Sequence, residues 1–319
     1  MQLLTHVRPN DFDSTTGTSV CIGMFDGIHK GHQLLILKTV HSAKENRQPS
    51  VLLTFQNNPK ISGKESVALT SMTEKQAMIE ALGIDYLVNL PFPGHIAEMV
   101  PATFVDSILV SCLHASNVYI GRNFRFGYMR TGNSDDLKYI GSERSMHVMV
   151  EHMMTWEGKE ISSTYCRFLL STRNMEKATA MLGYPYFISG QVIHGQGRGG
   201  KIGLPTLNLA ENFLGKIKPG EGVYATKTLI QGKLYDSVTL YGPVPSFNQC
   251  ENSIETVVLN FDGDVYGEKA TVFFYSYLRD IVRFSSSEDL IHQIEKDKAK
   301  AIEVLSGVGK FPILLDFLK

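Results

Sequence analysis

The sequence predicts an α/β chain of two domains: a doubly wound parallel sheet first, then a smaller antiparallel barrel or sandwich closed by a helix. Three observations predict it. Apolar runs alternate with helical patterns over about the first 150 residues, the signature of a parallel sheet with crossover helices. Beyond Pro185 the pattern changes to short strands joined by Gly and Asp turns. The length of 319 residues is about twice that of a typical domain. The change of pattern divides the chain into domains 1–184 and 185–319.

Each element follows in order. TSVCIGM (18–24) reads as a buried strand, a Phe-Asp-Gly turn follows, and HKGHQLLILKTVHSAKEN repeats apolar residues at Leu34, Leu35, Leu37 and Val40 with helical spacing. SVLLTF (50–55) is a second strand, and TEKQAMIEALG a helix that Thr73 starts and Gly83 ends. Strand-like DYLVNLPF, helix-like ATFVDSILVSCLH and strand-like NVYIG (117–121) complete the first pattern. The second half reads YFISGQVIH, then GVYATKTLI and KLYDSVTLY around Gln231-Gly232, then IETVVLNF and EKATVFFYSYL around the hairpin turn Asp262-Gly263-Asp264. A helix from Ser286 to about Leu305 closes the chain, capped by a run of serines.

Charge and cysteine usage narrow the function. Lys+Arg 31 against Asp+Glu 32 leaves a net charge of -1, and residues 1–183 carry 17 of each sign, so neither half is a bulk nucleic-acid binder. Cys21, Cys112, Cys166 and Cys250 lie far apart and form no CxxC, which predicts neither a disulfide framework nor a zinc knuckle and fits a reducing cytoplasm. The start lacks a basic region and a long apolar stretch, and Ala178 to Gly197 is interrupted too often to span a membrane. A soluble chain is expected.

The sharpest pattern of the first half is GMFDGIHKGH (23–32), placed where a strand turns into a helix. Unpaired backbone N–H groups and the positive helix end meet there, which suits an anion. His29 and His32 lie three residues apart on the first helical turn, so both can donate to a phosphate while Gly31 lets a ring approach the backbone. The pair alone fits ordinary surface or metal-binding histidines equally well, and its position after a buried strand favours the phosphate site. Further on, ISSTYCR (161–167) offers Ser162, Ser163 and Thr164 at a helix start with Arg167 one turn later, again a phosphate-binding arrangement.

In the second half HGQGRGGKIGLPTLN (194–208) contains two decoys. Gly195 to Lys201 fits GxxxxGK, but Ile202 stands where a P-loop needs Ser or Thr; the same glycines fit GxGxxG, but no helix follows before Pro205. What remains is a glycine-rich flap with Arg198 and Lys201, followed by Thr206 and Asn208, whose hydroxyl and amide oxygen are hard ligands acceptable to magnesium. Asp262 to Gly267 fails as a calcium loop because Tyr266 and Phe273 occupy ligand positions.

GMFDGIHKGH together with ISSTYCR resembles the adenylyltransferase domain of the bacterial bifunctional riboflavin kinase/FMN adenylyltransferases, the FAD synthetases, and GRNFRFG (121–127) is similar to that family's GxNFxFG segment. Class I aminoacyl-tRNA synthetases share an HxGH-type motif, but this chain has no KMSKS-like segment. The flap and PTLN are similar to the family's riboflavin kinase signature, and the resemblance runs from about residue 16 to 305 in the expected order. It implies a nucleotidylyltransferase domain and a β-barrel riboflavin kinase domain with a C-terminal helix. It implies riboflavin, FMN, FAD and ATP as partners and Mg2+ as cofactor, with no nucleic acid or membrane.

By the same resemblance His29, His32 and Arg167 act in adenylyl transfer, and Glu255 is the base for the ribityl hydroxyl. ATP is held in one domain by Gly23, Phe25, Asp26, Gly31, Asn123, Ser162, Ser163 and Thr164, and in the other by Gly195, Gly197, Arg198, Gly199 and Lys201, with Thr206 and Asn208 on the metal. The chain departs from the family at Gln56 to Asn58 (usually close to EPH), at Tyr165 (usually Arg) and around Pro243 and Val244. Two alternatives follow from those departures: an adenylyltransferase with an impaired kinase, or a non-catalytic flavin-binding regulator.

Overall fold

The computed structural model describes residues 1–9, 11–56, 67–92, 95–194, 206–210, 215–243 and 253–308. They form two compact units, Met1–Ser163 and Thr164–Lys319.

In the first unit β1 (Gln2–Leu4), β2 (Thr18–Ile22), β3 (Ser50–Phe55), β4 (Tyr86–Leu90), β5 (Ala115–Gly121) and β8 (His147–Glu151) form one sheet in the order β1-β4-β3-β2-β5-β8. Every pairing in it is parallel. β2 is buried along its whole length, as expected of a strand covered on both faces. Helices α1 (Lys30–Asn46), α2 (Met72–Ala81), α3 (His95–Glu98), α4 (Pro101–Phe104) with its π-helical continuation Val105–Cys112, and α5 (Ser134–Ser142) supply the crossovers. Val20, Val51, Val88, Val105, Leu109, Val118 and Ile120 lie in one core. Short ribbons β6 (Arg125–Phe126) with β7 (Gly132–Asn133), and β9 (Thr155–Trp156) with β10 (Lys159–Glu160), complete the unit.

The doubly wound sheet is as the sequence predicts, with two differences. α2 is capped by Ser71, not Thr73, in a capping box with Glu74. The strands at both margins, the short exposed β1 and the half-exposed β8, and helix α5 are additional to the elements read from sequence.

The second unit begins within α6 (Ser163–Ser171), continues through α7 (Met175–Leu182), and then builds a closed antiparallel barrel. Its strands are β11 (Tyr186–Ile193), β12 (Leu207–Leu209), β13 (Gly222–Ile230), β14 (Lys233–Gly242), β15 (Ser253–Val258) and β16 (Lys269–Arg279), in the order β11-β12-β15-β14-β13-β16. Closure resolves the barrel-or-sandwich choice. Gln231 and Gly232 have φ 50° and 76°, the signs required by a two-residue primed hairpin turn. The expected hairpin at Asp262-Gly263-Asp264 is not one: β15 is flanked by β12 and β14, and β16 by β11 and β13, so residues 259–268 cross between strands that do not pair.

One face of every strand is buried inside the ring, including Tyr186, Tyr224, Val272 and Phe274. It also holds a chain of hydroxyls: Thr228 to Ser237, Ser237 to Thr226 and Thr226 to Thr239 at 2.8 Å, and Thr239 to Thr256 at 2.9 Å. Each hydroxyl is fully buried, and mutual bonding removes most of its desolvation cost. Outside the barrel, α7 packs on β16 and β11, and α8 (Ser287–Ser306) on β13, β14 and β16. Ser286 caps α8, as expected from its serine run, and Arg279 of β16 clasps buried Asp297 of α8 through Nη2 to Oδ2 at 2.7 Å.

Candidate active sites

The strand order reverses at β2: the chain goes from it to β3 and β4 on one side, then returns to β5 and β8 on the other. Ligands of open α/β sheets collect beyond the carboxyl ends of strands at such a reversal. Both conspicuous loops of the first unit are there, residues 23–29 after β2 and 121–124 after β5.

The loop after β2 is tightly held. Gly23 donates to the Leu53 carbonyl at 3.1 Å, and buried Asp26 accepts through Oδ1 from the Leu69 and Thr70 amides at 2.9 and 3.3 Å. Gly27 donates to Thr70 Oγ1 at 3.1 Å. Phe25, Gly27 and Ile28 all have positive φ (49°, 77° and 34°), a costly conformation for Phe and for β-branched Ile. A Cβ on Gly27 would meet Leu69 Cδ1 at 2.6 Å. Phe25 is fully buried, its ring 5.2 Å from that of His32, so its side chain is a packing element of the loop.

His29 is the N-cap of α1, its Nδ1 accepting from the His32 amide at 3.3 Å. That bond fixes the tautomer, leaving the proton of the neutral ring on Nε2. The two imidazoles stack at 3.6 Å and 16°, and a Cβ on Gly31 would lie 3.3 Å from the His29 ring, the close approach expected of that glycine. Burial pushes His29 down to about 4, and burial, then the His29 ring and the Lys75 ammonium, hold His32 well below its ordinary range. At neutral pH the pair therefore offers N–H donors without charge. His32 Nδ1 is buried with no partner among the described residues, an orphan that a ligand can satisfy.

Ser163 Oγ donates to the Asp26 carbonyl at 2.9 Å, joining two motifs that lie 137 residues apart in sequence. Ser162 is half-buried beside it. Thr164 and Arg167 fall in the second unit, one turn apart on α6, where Tyr165 stacks on Phe168 at 5.9 Å. After β5, Asn123 is exposed in a turn closed by Phe124 N–H to the Gly121 carbonyl at 2.9 Å. The aromatics of that segment pack: Phe126 lies in the core, 5.4 Å from Phe124 and 5.7 Å from Phe104.

Sequence reasoning missed Lys75. Its Nζ reaches from α2 to the Met24 carbonyl at 2.9 Å, and burial lowers its affinity for a proton while Asp26 opposes that shift. A single lysine in TEKQ carries no local signal.

In the second unit Asn208 of β12 pairs directly with Glu255 of β15. Leu207, Leu209 and Thr256 point into the barrel, so Asn208 and Glu255 share its outer face with Cβ atoms about 5 Å apart. Thr206 precedes by two residues, and all three side chains are half-buried. Among the described residues no group of three or more His, Cys, Asp or Glu is preformed for a metal. A hydroxyl, an amide oxygen and a carboxylate suit a hard ion such as magnesium, which takes few protein ligands and completes its shell with phosphate and water. Gly195, Gly197, Arg198, Gly199, Lys201, Asn57, Asn58, Val244 and the tail from residue 309 lie outside the described residues.

No described helix is long and apolar enough to cross a membrane. The family model for FAD synthetase matches residues 11–165, and that for riboflavin kinase matches residues 182–305. The chain is 33% identical to the bifunctional riboflavin kinase/FMN adenylyltransferase of Bacillus subtilis (strain 168), over 96% of this chain and 98% of that one. It is 30% identical to the enzyme of the same description from Escherichia coli (strain K12), over 90% and 92%. A crystal structure described as a macrolide-efflux protein from Streptococcus pneumoniae superposes with a TM-score of 0.84 at 28% identity, covering 97% of this chain and 100% of that one. Both halves matched in order, and relatives matched nearly end to end, place this chain in the bifunctional riboflavin kinase/FMN adenylyltransferase family.

Proposed function

We propose that the chain makes FMN and then FAD at two separate sites, with the kinase reaction assigned to residues 185–319 and adenylyl transfer to residues 1–184. The observation that carries this is the neutral, stacked His29–His32 pair at the strand-order reversal, hydrogen-bonded through the Asp26 loop to Ser163. It is supported by membership of a family that carries both activities.

In the kinase reaction Glu255 takes the proton of the riboflavin 5′-hydroxyl. That oxygen bonds to the γ-phosphorus of ATP as the γ-phosphorus to β,γ-bridging oxygen bond breaks, and ADP leaves with FMN formed. Thr206 and Asn208 would hold a magnesium ion, which would supply positive charge to the phosphate oxygens. In adenylyl transfer an FMN phosphate oxygen bonds to the α-phosphorus of a second ATP, the bond to the α,β-bridging oxygen breaks, and pyrophosphate leaves with FAD formed. Neither step needs a protein nucleophile.

Catalysis rests on position and charge stabilisation. His29 Nε2–H and His32 donate to the phosphates, with Ser162, Ser163, Thr164 and Arg167 assigned to the same polyphosphate by their motif. Gly23 and Gly31 are assigned to the same nucleotide by their motif, and the Asp26 carboxylate anchors the loop. Asn123 is assigned to the nucleotide, and the flap glycines with Arg198 and Lys201 to the ATP of the kinase site.

Incubating the purified chain with riboflavin, ATP and magnesium should give FMN, then FAD, with ADP and pyrophosphate in equal amounts once all flavin is FAD. FAD from supplied FMN but none from riboflavin would overturn the kinase half; FMN alone would overturn the adenylyl half.

A further inference from the structure

We infer that Lys75 is a direct ligand of the ATP polyphosphate in the first unit, supplying the positive charge that its two neutral histidines do not. The inference rests on the adenylyl-transfer reading. Lys75 Nζ spends one donor on the Met24 carbonyl, within the loop that leads to His29. An ammonium has three donors, and no other hydrogen-bond partner of Lys75 lies among the described residues, so two remain for an anion.

Its position is fixed from both sides. The Ser71–Glu74 capping box sets the start of α2, and Asp26 grips the Leu69 and Thr70 amides immediately before it. Asp26 attracts the ammonium, but its Oδ1 already accepts those two amides. A partly buried cation with one carbonyl partner among the described residues is costly, and an incoming phosphate relieves that cost. After burial and the His29 ring, the ammonium is the third influence that opposes protonation of His32. Lys75 thus has a double action: it attracts the anion and adds to the burial that keeps His32 a neutral donor.

The test uses the full chain with Lys75→Met and Lys75→Arg. For Lys75→Met, kcat/KM for ATP in FAD formation from FMN should fall about 10- to 100-fold, with FMN formation from riboflavin unchanged. Lys75→Arg should recover most of the loss. Inorganic tripolyphosphate should inhibit FAD formation by the wild type and by Lys75→Arg, but by Lys75→Met only at correspondingly higher concentration. The acid limb of the pH–rate profile should move to higher pH in Lys75→Met, since burial and the His29 ring are then left to oppose protonation of His32 without the ammonium.

Wild-type FAD formation by Lys75→Met overturns the inference. So does slower catalysis with unchanged tripolyphosphate inhibition and an unmoved acid limb, which would leave Lys75 as a support for Met24. If Lys75→Met is misfolded, Lys75→Gln replaces it, and an unchanged ATP KM with unchanged tripolyphosphate inhibition in that variant overturns the inference. A wild type that makes no FAD defeats the underlying reading instead.

Discussion

At the scale of single residues, His29 combines two functions that mutation can separate. It caps α1 through Nδ1, and in the proposed reaction it donates Nε2–H to a phosphate. Asparagine caps as well as any residue but has no imidazole. His29→Asn should therefore keep its thermal midpoint within a few degrees of the wild type and lose about 10²- to 10³-fold in FAD formation, the cost of one well-placed donor. The same ring sets an acid dependence. Its value falls from 6.5 unfolded to about 4 folded, so its contribution to stability is complete above about pH 6.5 and is lost as pH falls toward 4. Thermal unfolding followed between pH 7 and pH 4.5 should show that loss, and His29→Asn should flatten it. His29 and His32 are legible in sequence because their spacing and place after a strand constrain them together. Lys75 is illegible because its meaning comes from a loop about 50 residues away, which only folding brings to its ammonium.

Among the elements, the loop between β2 and α1 stores backbone strain that its glycine makes tolerable. Gly27→Ala would place a methyl 2.6 Å from Leu69 Cδ1 at a φ of +77°. We expect a loss of about 1–3 kcal/mol, read from the urea midpoint, with a fall in FAD formation as the Asp26 clamp shifts. The interior strands β2 to β5 are evident in sequence because burial on both faces makes them continuous apolar runs. β1 is three residues long and largely exposed, and β8 is half-exposed, so the sheet margins leave no such run. Turn chemistry has a similar limit: Asp262-Gly263-Asp264 signals a change of direction, but which strands then pair is decided by the whole ring.

For the whole molecule, the two proposed reactions, with different key residues, predict separable losses. Glu255→Gln keeps the shape and neighbours of the side chain but removes the base, so FMN formation from riboflavin should fall by about 10²-fold or more while FAD formation from supplied FMN is unchanged. Product chromatography with each flavin as starting material checks both halves. The ring of β11 to β16 adds a consequence of another kind. Each of its strands has a neighbour on both sides, so none can peel away from a margin, and exposing its backbone amides to solvent requires the ring to open cooperatively. In deuterated buffer the central amides of β13 and β16 should therefore retain protium longest and exchange together, whereas the outward-facing amides of β8 should exchange early.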